Sequence, residues 1–428
     1  MKRIISTTFA CLFFLSFVKA QAPGDYFVTI WDLSIPGSGA TTLSINVGTS
    51  GTVNYIWETI PAGTSGSGTF SGSTLQITNL PANAKIRLKI APSNFNRIYL
   101  YYNSDKARLL DVEQWGTVLW STMQGAFFDC SNLNITATDL PNLSNVTDMS
   151  NMFRECDKLN GPTNIGNWNT QNVTNMSHMF YRAYSFNQPI GNWNTQNVIN
   201  MTGMFFHAHS FNQPIGNWNT QNVTKMGDMF YRATSFNQSL ENWNTENVTD
   251  MSNMFNKASS FNQSLGNWVL KPLVDMMDML ENSGMDCANY SATLISWANN
   301  SSTPNNLDLG AQGLKYSSNA VAARNALLAK GWTFEGDALD IHGCSTTTSL
   351  LSAEYNKPKV SIYPNPAHDH AMVSADGFTQ LEIYDLHGQF IKRDMPNREI
   401  ELSGLRSGLY YVKLSNGSES KMLKLVVE

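Results

Sequence analysis

The chain is 428 residues long, carries a net charge of −5, and only 14% of its residues are charged. That length leaves room for two to four domains. The weak acidic balance offers no basic footprint for nucleic acid and no basic amphipathic anchor for a lipid surface.

At the start, Lys2 and Arg3 precede an apolar stretch over residues 4–18, and Ala20 stands before Gln21. A basic end, a short apolar core and a small residue at the cut mark a secretory signal peptide, here residues 1–20. The stretch is short for a membrane span, and Cys11 inside it is poorly placed for lipid attachment. No later segment is long and apolar enough to span a bilayer, so the mature chain is expected to have no transmembrane segment. Export leaves Cys130, Cys156, Cys287 and Cys344, an even number that permits disulfides in three connectivities. None of their spacings resembles a zinc site.

Residues 21–111 read as a β-rich domain. Runs such as Thr74-Leu-Gln-Ile-Thr78 and Lys85-Ile-Arg-Leu-Lys-Ile90 alternate at strand length, separated by Gly, Ser and Pro turns. Short strands of this kind predict a small sandwich.

A 25-residue repeat then occupies residues 112–285. Trp168, Trp193, Trp218, Trp243 and Trp268 mark it, as do Met176, Met201, Met226, Met251 and Met276. Met123 and Met149 extend it backwards at spacings of 26 and 27, giving about seven coils. A unit of this length cannot bury its apolar face alone, so copies must stack. Val173, Met176, Phe180 and Ala183 lie at offsets of three, seven and ten, the spacing of one face of a short helix. The following Phe186-Asn-Gln-Pro-Ile-Gly-Asn-Trp193 is too rich in Pro, Gly and Asn for helix and predicts an extended segment with a turn. The expectation is an α/β fold: a right-handed solenoid with a parallel sheet on one side and a row of helices on the other. Asn187, Asn212, Asn237 and Asn262 form a column suited to bonding the backbone of the next coil. Asn-x-Thr triplets starting at Asn145, Asn172, Asn222 and Asn247 read as turn and cap residues rather than glycosylation acceptors.

Residues 286–344 carry two helical patterns and read as a cap, residues 345–359 as a polar linker, and residues 360–428 as a final β-sandwich. Two family resemblances follow from motifs. The recurring Asn-Val-Thr-x-Met-x-x-Met-Phe and Ala-x-x-Phe-Asn-Gln, with Ala126-Phe-Phe-Asp-Cys-Ser-Asn-Leu133, resemble the BspA-like leucine-rich-repeat surface proteins. That resemblance implies a leucine-rich-repeat-like fold and adhesion or protein binding. Ile362-Tyr-Pro-Asn-Pro366, Ile383-Tyr-Asp-Leu-His-Gly-Gln389 and Leu405-Arg-Ser-Gly-Leu-Tyr-Tyr-Val412 resemble a C-terminal sorting domain of the type IX secretion system. This implies a Gram-negative cell, the type IX machinery as partner, and a secreted or surface location.

The functional reading is a non-enzymatic surface protein, adhesin-like, with an extracellular protein or glycan as ligand and no cofactor. By helical angle, Tyr181 and Arg182 point outward, and so do Phe206, His207, Tyr231, Arg232 and Lys257 in later coils. Aromatic beside basic is the composition of interaction hot spots. The column of Trp168, Trp193, Trp218, Trp243 and Trp268 is the alternative binding face: exposed, it would suit a lectin; buried, it would be core. A passive surface-layer protein is a further alternative. Catalysis needs a nucleophile, base and orienting group converging in space, whereas repeats place nearly the same residues in every coil. His207 and His209, the pair His368 and His370, and the group Asp337, Asp340 and His342 read as surface decoration rather than metal ligands. Cys130 and Cys156 share one position of adjacent coils and are expected to touch, which makes them a candidate disulfide, although parallel side chains strain such a bond.

Overall fold

The computed structural model describes residues 23–341, Cys344, and residues 360–427 apart from 364–366, 368–369, 376–377, 395–397 and 417–419. The expected signal peptide (1–20) and linker (345–359) lie outside the described residues. The chain divides into two compact units, Met1–Cys344 and Ser345–Glu428.

The first unit opens with strands β1 (Phe27–Asp32), β2 (Leu43–Thr49), β3 (Val53–Ile60), β4 (Ser65–Phe70), β5 (Thr74–Ile77), β6 (Lys85–Ile90), β7 (Phe95–Tyr99), β8 (Leu109–Gln114) and β9 (Asn134–Ile135). They form a six-stranded sheet in the order β4-β3-β6-β1-β8-β9 and a three-stranded sheet in the order β5-β2-β7. All pairings are antiparallel except β8 with β9. In β2 the residues Leu43, Ile45 and Val47 are buried and their neighbours are not, as a half-covered strand requires. A buried ion pair pins the loop between β1 and β2. Arg108 meets Asp105 at 2.9 Å and donates to the carbonyls of Ile35, Thr42 and Gly39. Asp105 in turn accepts from the Ser38 and Ser44 backbone N–H groups. With every polar atom engaged, the burial of both charges is compensated.

In the repeats, stacking is carried by the backbone. Met176, His178, Phe180 and Arg182 each donate their N–H to the next coil, at the carbonyls of Asn200, Thr202, Met204 and Phe206, at 2.7–2.9 Å. The intervening Met179, Tyr181 and Ala183 close three-residue turns onto Met176, His178 and Phe180. Left-handed backbone recurs with the repeat at His178, Gly203, Asp228, Asn253 and Asp278, and again at Arg182, His207, Arg232, Lys257 and Asn282. An α-helix needs each N–H to reach the carbonyl four residues back and does not admit left-handed residues. These turns therefore reproduce the apolar spacing of a helix without forming one. Met176, Met179, Phe180 and Ala183 are all fully buried.

This overturns the expected architecture. Among the described residues the first unit holds two α-helices, α1 (Cys287–Asn299) and α2 (Val321–Ala329), and neither lies in the repeat. The coils meet through single-residue parallel bridges running Asp148, Asn175, Asn200, Lys225, Asp250, Asp275, not through a curved sheet of strands. The α/β leucine-rich-repeat-like right-handed solenoid of about seven coils, and the BspA-like assignment resting on it, are accordingly corrected: the fold is mixed β-sheet with stacked turns and two helices.

Side chains complete the stack. The phenyl rings of Phe127, Phe153, Phe180, Phe205, Phe230 and Phe255 lie 5.6–5.7 Å apart in sequence, nearly parallel. The Asn187, Asn212 and Asn237 side-chain oxygens accept the N–H of Asn212, Asn237 and Asn262 at 2.8–3.0 Å, the structural role expected of that column. One continuous apolar core runs from Phe27 through the repeats to Trp332.

After the repeats, Asp286 caps α1 by accepting from the Asn289 N–H at 2.8 Å. Strands β10 (Asp308–Gly310) and β11 (Lys315–Tyr316) pair in parallel with β12 (Thr333–Glu335) and β13 (Ala338–Leu339). Gly331, at φ +83°, ends the α2 segment in a conformation that favours glycine. A disulfide joins Cys287, at the start of α1, to Cys344, with Cα atoms 5.4 Å apart. Cys130 and Cys156 are free and buried, so the candidate bridge between them is not formed. The Cys156 thiol points back to the Phe127 carbonyl at 3.0 Å. Burial pushes both thiols well above their usual range, which leaves them protonated small core residues.

The second unit contains β14 (Val360–Tyr363), β15 (His370–Ala375), β16 (Gln380–Tyr384), β17 (Phe390–Asp394), β18 (Arg398–Glu401), β19 (Gly408–Ser415) and β20 (Ser420–Val427). They make sheets in the orders β14-β15-β18 and β17-β16-β19-β20. Tyr410, Val412 and Leu414 alternate inward along β19 and join Leu381, Ile383 and Leu425 in a separate core.

Replacing Met201, which is fully buried, with Ala should cost about 2–5 kcal/mol in denaturant unfolding because it opens a cavity. Replacing exposed Gln196 with Ala should change stability by no more than about 0.5 kcal/mol. Equal losses at the two sites would contradict this placement of the core. Peptide mapping without reduction should recover Cys287 linked to Cys344, with Cys130 and Cys156 alkylated only after unfolding. A bridged Cys130–Cys156 peptide would refute the free-thiol assignment.

Candidate functional site

The turns place one column of side chains at the surface in each coil. Tyr181, Phe206 and Tyr231 are half-buried and stacked, with centroids 4.3 and 4.7 Å apart and interplanar angles of 5° and 9°. Beside them, Arg182 and Arg232 are exposed, while His207 and Lys257 are half-buried. All four take left-handed backbone, so they project from the turn rather than from a helix face. Arg182 lies 5.4 Å from the Tyr181 ring and Arg232 lies 5.6 Å from the Tyr231 ring, both within cation–π range.

The column extends further than the 25-residue spacing suggests. Arg154 sits over the Tyr181 ring at 4.2 Å and over the Phe128 ring at 5.3 Å, and Tyr101 meets Phe128 edge-on at 4.2 Å. The signal was present in the sequence. Arg154 and Phe128 precede Tyr181 at the same spacings of 27 and 26 that relate the early methionines. At the other end the ladder stops at Asn256, which is buried and donates to Glu281 at 3.0 Å.

The histidines add little positive charge at neutral pH. Burial, then His209, Arg232 and Arg182, lower the His207 pKa to about 4. Burial first, then Arg232, also lowers that of His209, whose Nδ1 is 3.2 Å from the Thr234 hydroxyl. The cations of the stripe are thus Arg154, Arg182, Arg232 and Lys257. Both faces of Phe206 are occupied by its neighbours, and Tyr181 lies between Phe206 and Arg154. What the ladder presents outward is ring edges, tyrosine hydroxyls and guanidinium groups.

Trp168, Trp193, Trp218, Trp243 and Trp268 are all at most 3% exposed, so the alternative binding face is core. Their rings stack from Trp193 onward at 6.4 Å, and each indole N–H from Trp193 onward donates to a carbonyl of the preceding coil at 2.9–3.1 Å. A buried indole that spends its only donor this way has nothing left for a sugar.

Asp337 is bound by Arg324 at 2.7 Å and by the Tyr290 hydroxyl at 3.0 Å. It therefore serves the cap; His342, His368 and the His370 side chain lie outside the described residues. Among the described residues no group of three or more His, Cys, Asp or Glu is placed to hold a metal ion.

A groove of about 560 Å³ lies along another set of columns, crossing four successive coils between Ser144 and Thr224. Asn and Thr side chains dominate its lining. The triplets starting at Asn145, Asn172 and Asn222 supply much of that lining, and their pattern predicts turn and cap residues. Their partners explain why: Asn172, Asn197 and Asn222 each donate to a backbone carbonyl of the preceding coil at 2.7–2.8 Å.

Comparison with known proteins adds two matches. Residues 97–205 and 188–297 are similar to the family described as a Mycoplasma protein of unknown function, DUF285. Residues 361–428 match the secretion system C-terminal sorting domain. No curated protein matches the chain. The Asp385 carboxylate explains one sorting motif, Ile383 to Gln389: it accepts the N–H of His387 and Gln389 at 2.8–2.9 Å and shapes the turn between β16 and β17. Gly388, at φ +77°, sits in that turn. The protein is thus secreted or displayed at the surface of a Gram-negative bacterium, with the type IX machinery as its export partner. Among the described residues no helix is long and apolar enough to cross a membrane. Deleting residues 360–428 should hold the protein in the periplasm of a type IX-competent host. Surface labelling of the truncated protein at parental levels would contradict the role of the tail.

Proposed function

We propose that this is a non-enzymatic, adhesin-like protein that binds an extracellular protein partner through the aromatic–basic ladder. One observation carries the reading: Arg154, Tyr181, Phe206 and Tyr231 form an unbroken surface stack across four coils, with Arg182 and Arg232 alongside. Aromatic and arginine side chains held rigid in advance lose little conformational entropy on binding, and such residues dominate interface energetics. Because both faces of Tyr181 and Phe206 are already paired, the ladder suits edge-on contacts and hydrogen bonds with a protein better than stacking against a sugar. The absence of catalysis is part of the proposal. Its support is that the ladder brings aromatic and basic side chains together, with no nucleophile, base and orienting group converging among them.

Changing Tyr181, Phe206 and Tyr231 together to Ser tests this. The rings are half-buried, so the fold should lose about 0.5–1.5 kcal/mol per stacked pair, still leaving a folded protein by circular dichroism. Binding to a host matrix protein identified by screening should weaken by at least about tenfold, the effect of losing one hot-spot contact. Parental affinity in a folded triple variant would remove the ladder from the binding site.

A further inference from the structure

The groove along the Asn and Thr columns differs in chemistry from the aromatic ladder. Asn172, Asn197 and Asn222 occupy it at one position per coil, and each amide is oriented by an N–H bond to the preceding coil. An amide has two N–H groups and one carbonyl oxygen. Each of these side chains therefore keeps one donor and one acceptor for solvent or ligand. Thr174 and Thr224 donate their hydroxyl hydrogens to the backbone at 3.1 and 3.4 Å, which leaves their oxygens as acceptors. Between them, the position of a threonine is taken by Ile199, which is 49% exposed. No ionisable side chain lines the groove.

Four properties of an occupant follow. It is uncharged, because nothing in the lining pairs with a charge. It is linear, because the polar pattern recurs along one direction for four coils. It offers donors and acceptors at every step, and it has an apolar face for Ile199. The step length narrows this further. In the groove's own Thr and Ile column the coils bond backbone to backbone, the Ile199 N–H to the Thr174 carbonyl and the Thr224 N–H to the Ile199 carbonyl, and neighbours paired in this way lie about 4.8 Å apart. An extended peptide presents like-facing groups every 6.6–6.8 Å or so and falls out of step within two coils. An extended, equatorially linked sugar chain advances by close to the coil repeat, carries hydroxyls on its edges and C–H groups on its faces. We infer that the groove between Ser144 and Thr224 is a binding site for a neutral, linear polysaccharide, one sugar residue per coil. This site does not depend on the aromatic ladder, and it replaces the tryptophan column as the place where a glycan would be read.

The fixed amides make the site preorganised, which spares the ordering cost that weakens most polar contacts. Individual hydrogen bonds to neutral groups contribute little each, so affinity depends on the number of coils engaged.

The test uses the full-length secreted protein and neutral cello-, xylo-, manno- and chito-oligosaccharides from disaccharide to hexasaccharide, measured by calorimetry. At least one series should bind, with affinity rising up to the tetrasaccharide and levelling beyond it. Ile199→Asp places an unpaired carboxylate in the middle of the groove at an exposed position and should weaken binding by at least about tenfold. The double variant Thr174→Val with Thr224→Val keeps the shape, removes two acceptors and should also weaken it. The triple change of Tyr181, Phe206 and Tyr231 to Ser should leave sugar binding unchanged. No binding in any of the four series, or full affinity in folded Ile199→Asp protein, would overturn the assignment. Loss of sugar binding in the aromatic variant alone would move the glycan site to the ladder and overturn it equally.

Discussion

The whole repeat region depends on one hydrogen-bonding arrangement: alternate backbone N–H groups leave their own coil and bond the next. Met176, His178, Phe180 and Arg182 do so at 2.7–2.9 Å, and their counterparts repeat the pattern in later coils. Left-handed residues such as His178 and Arg182 allow the carbonyls and N–H groups to point along the stack. Buried backbone groups must be paired, and here alternate N–H groups find that partner in the neighbouring coil while those between close turns within their own. No single coil is satisfied by itself, so the fold is cooperative between neighbours.

That arrangement sets the side chains in register. Equivalent residues lie one coil apart, which is why phenyl rings stack at 5.6–5.7 Å along the core. The same register produces the surface stack of Tyr181, Phe206 and Tyr231. Polar groups that the backbone leaves at the turns are met by side chains from the adjacent coil, through Asn187 and its equivalents and through the indoles from Trp193 onward. Core and surface columns are thus two outcomes of one geometry, distinguished by whether the side chain leaves the turn inward or outward.

Functional chemistry is then a matter of which columns remain unspent. The tryptophans from Trp193 onward use their only donor inside the stack. The ladder uses its ring faces on itself but keeps its edges, hydroxyls and arginines. The groove asparagines use one N–H on the backbone and keep the remainder. Export by way of the sorting domain puts these columns outside the cell.

The period, the shared inward apolar set and the export route are legible in the order of the amino acids. Spacing alone picks out Met176, Phe180 and Ala183 as a shared inward set, because stacking demands the same apolar residue in each coil. The sorting motifs around Asp385 and Leu409 were readable because turn and strand chemistry there is local. Arg154 was also readable, once the irregular early spacing was carried into the surface column. The remainder rests on contacts between residues far apart in the chain. Offsets of three, seven and ten fit both an α-helix and a run of tight turns; the choice lies in whether each N–H bonds within its coil or across to the next, and that is a contact 24 residues away in the chain. The burial of Trp193 turned on a partner 28 residues upstream, the Ile165 carbonyl. Cys287 found Cys344 rather than a thiol of the repeats because the cap brings their Cα atoms to 5.4 Å, a proximity no local pattern encodes.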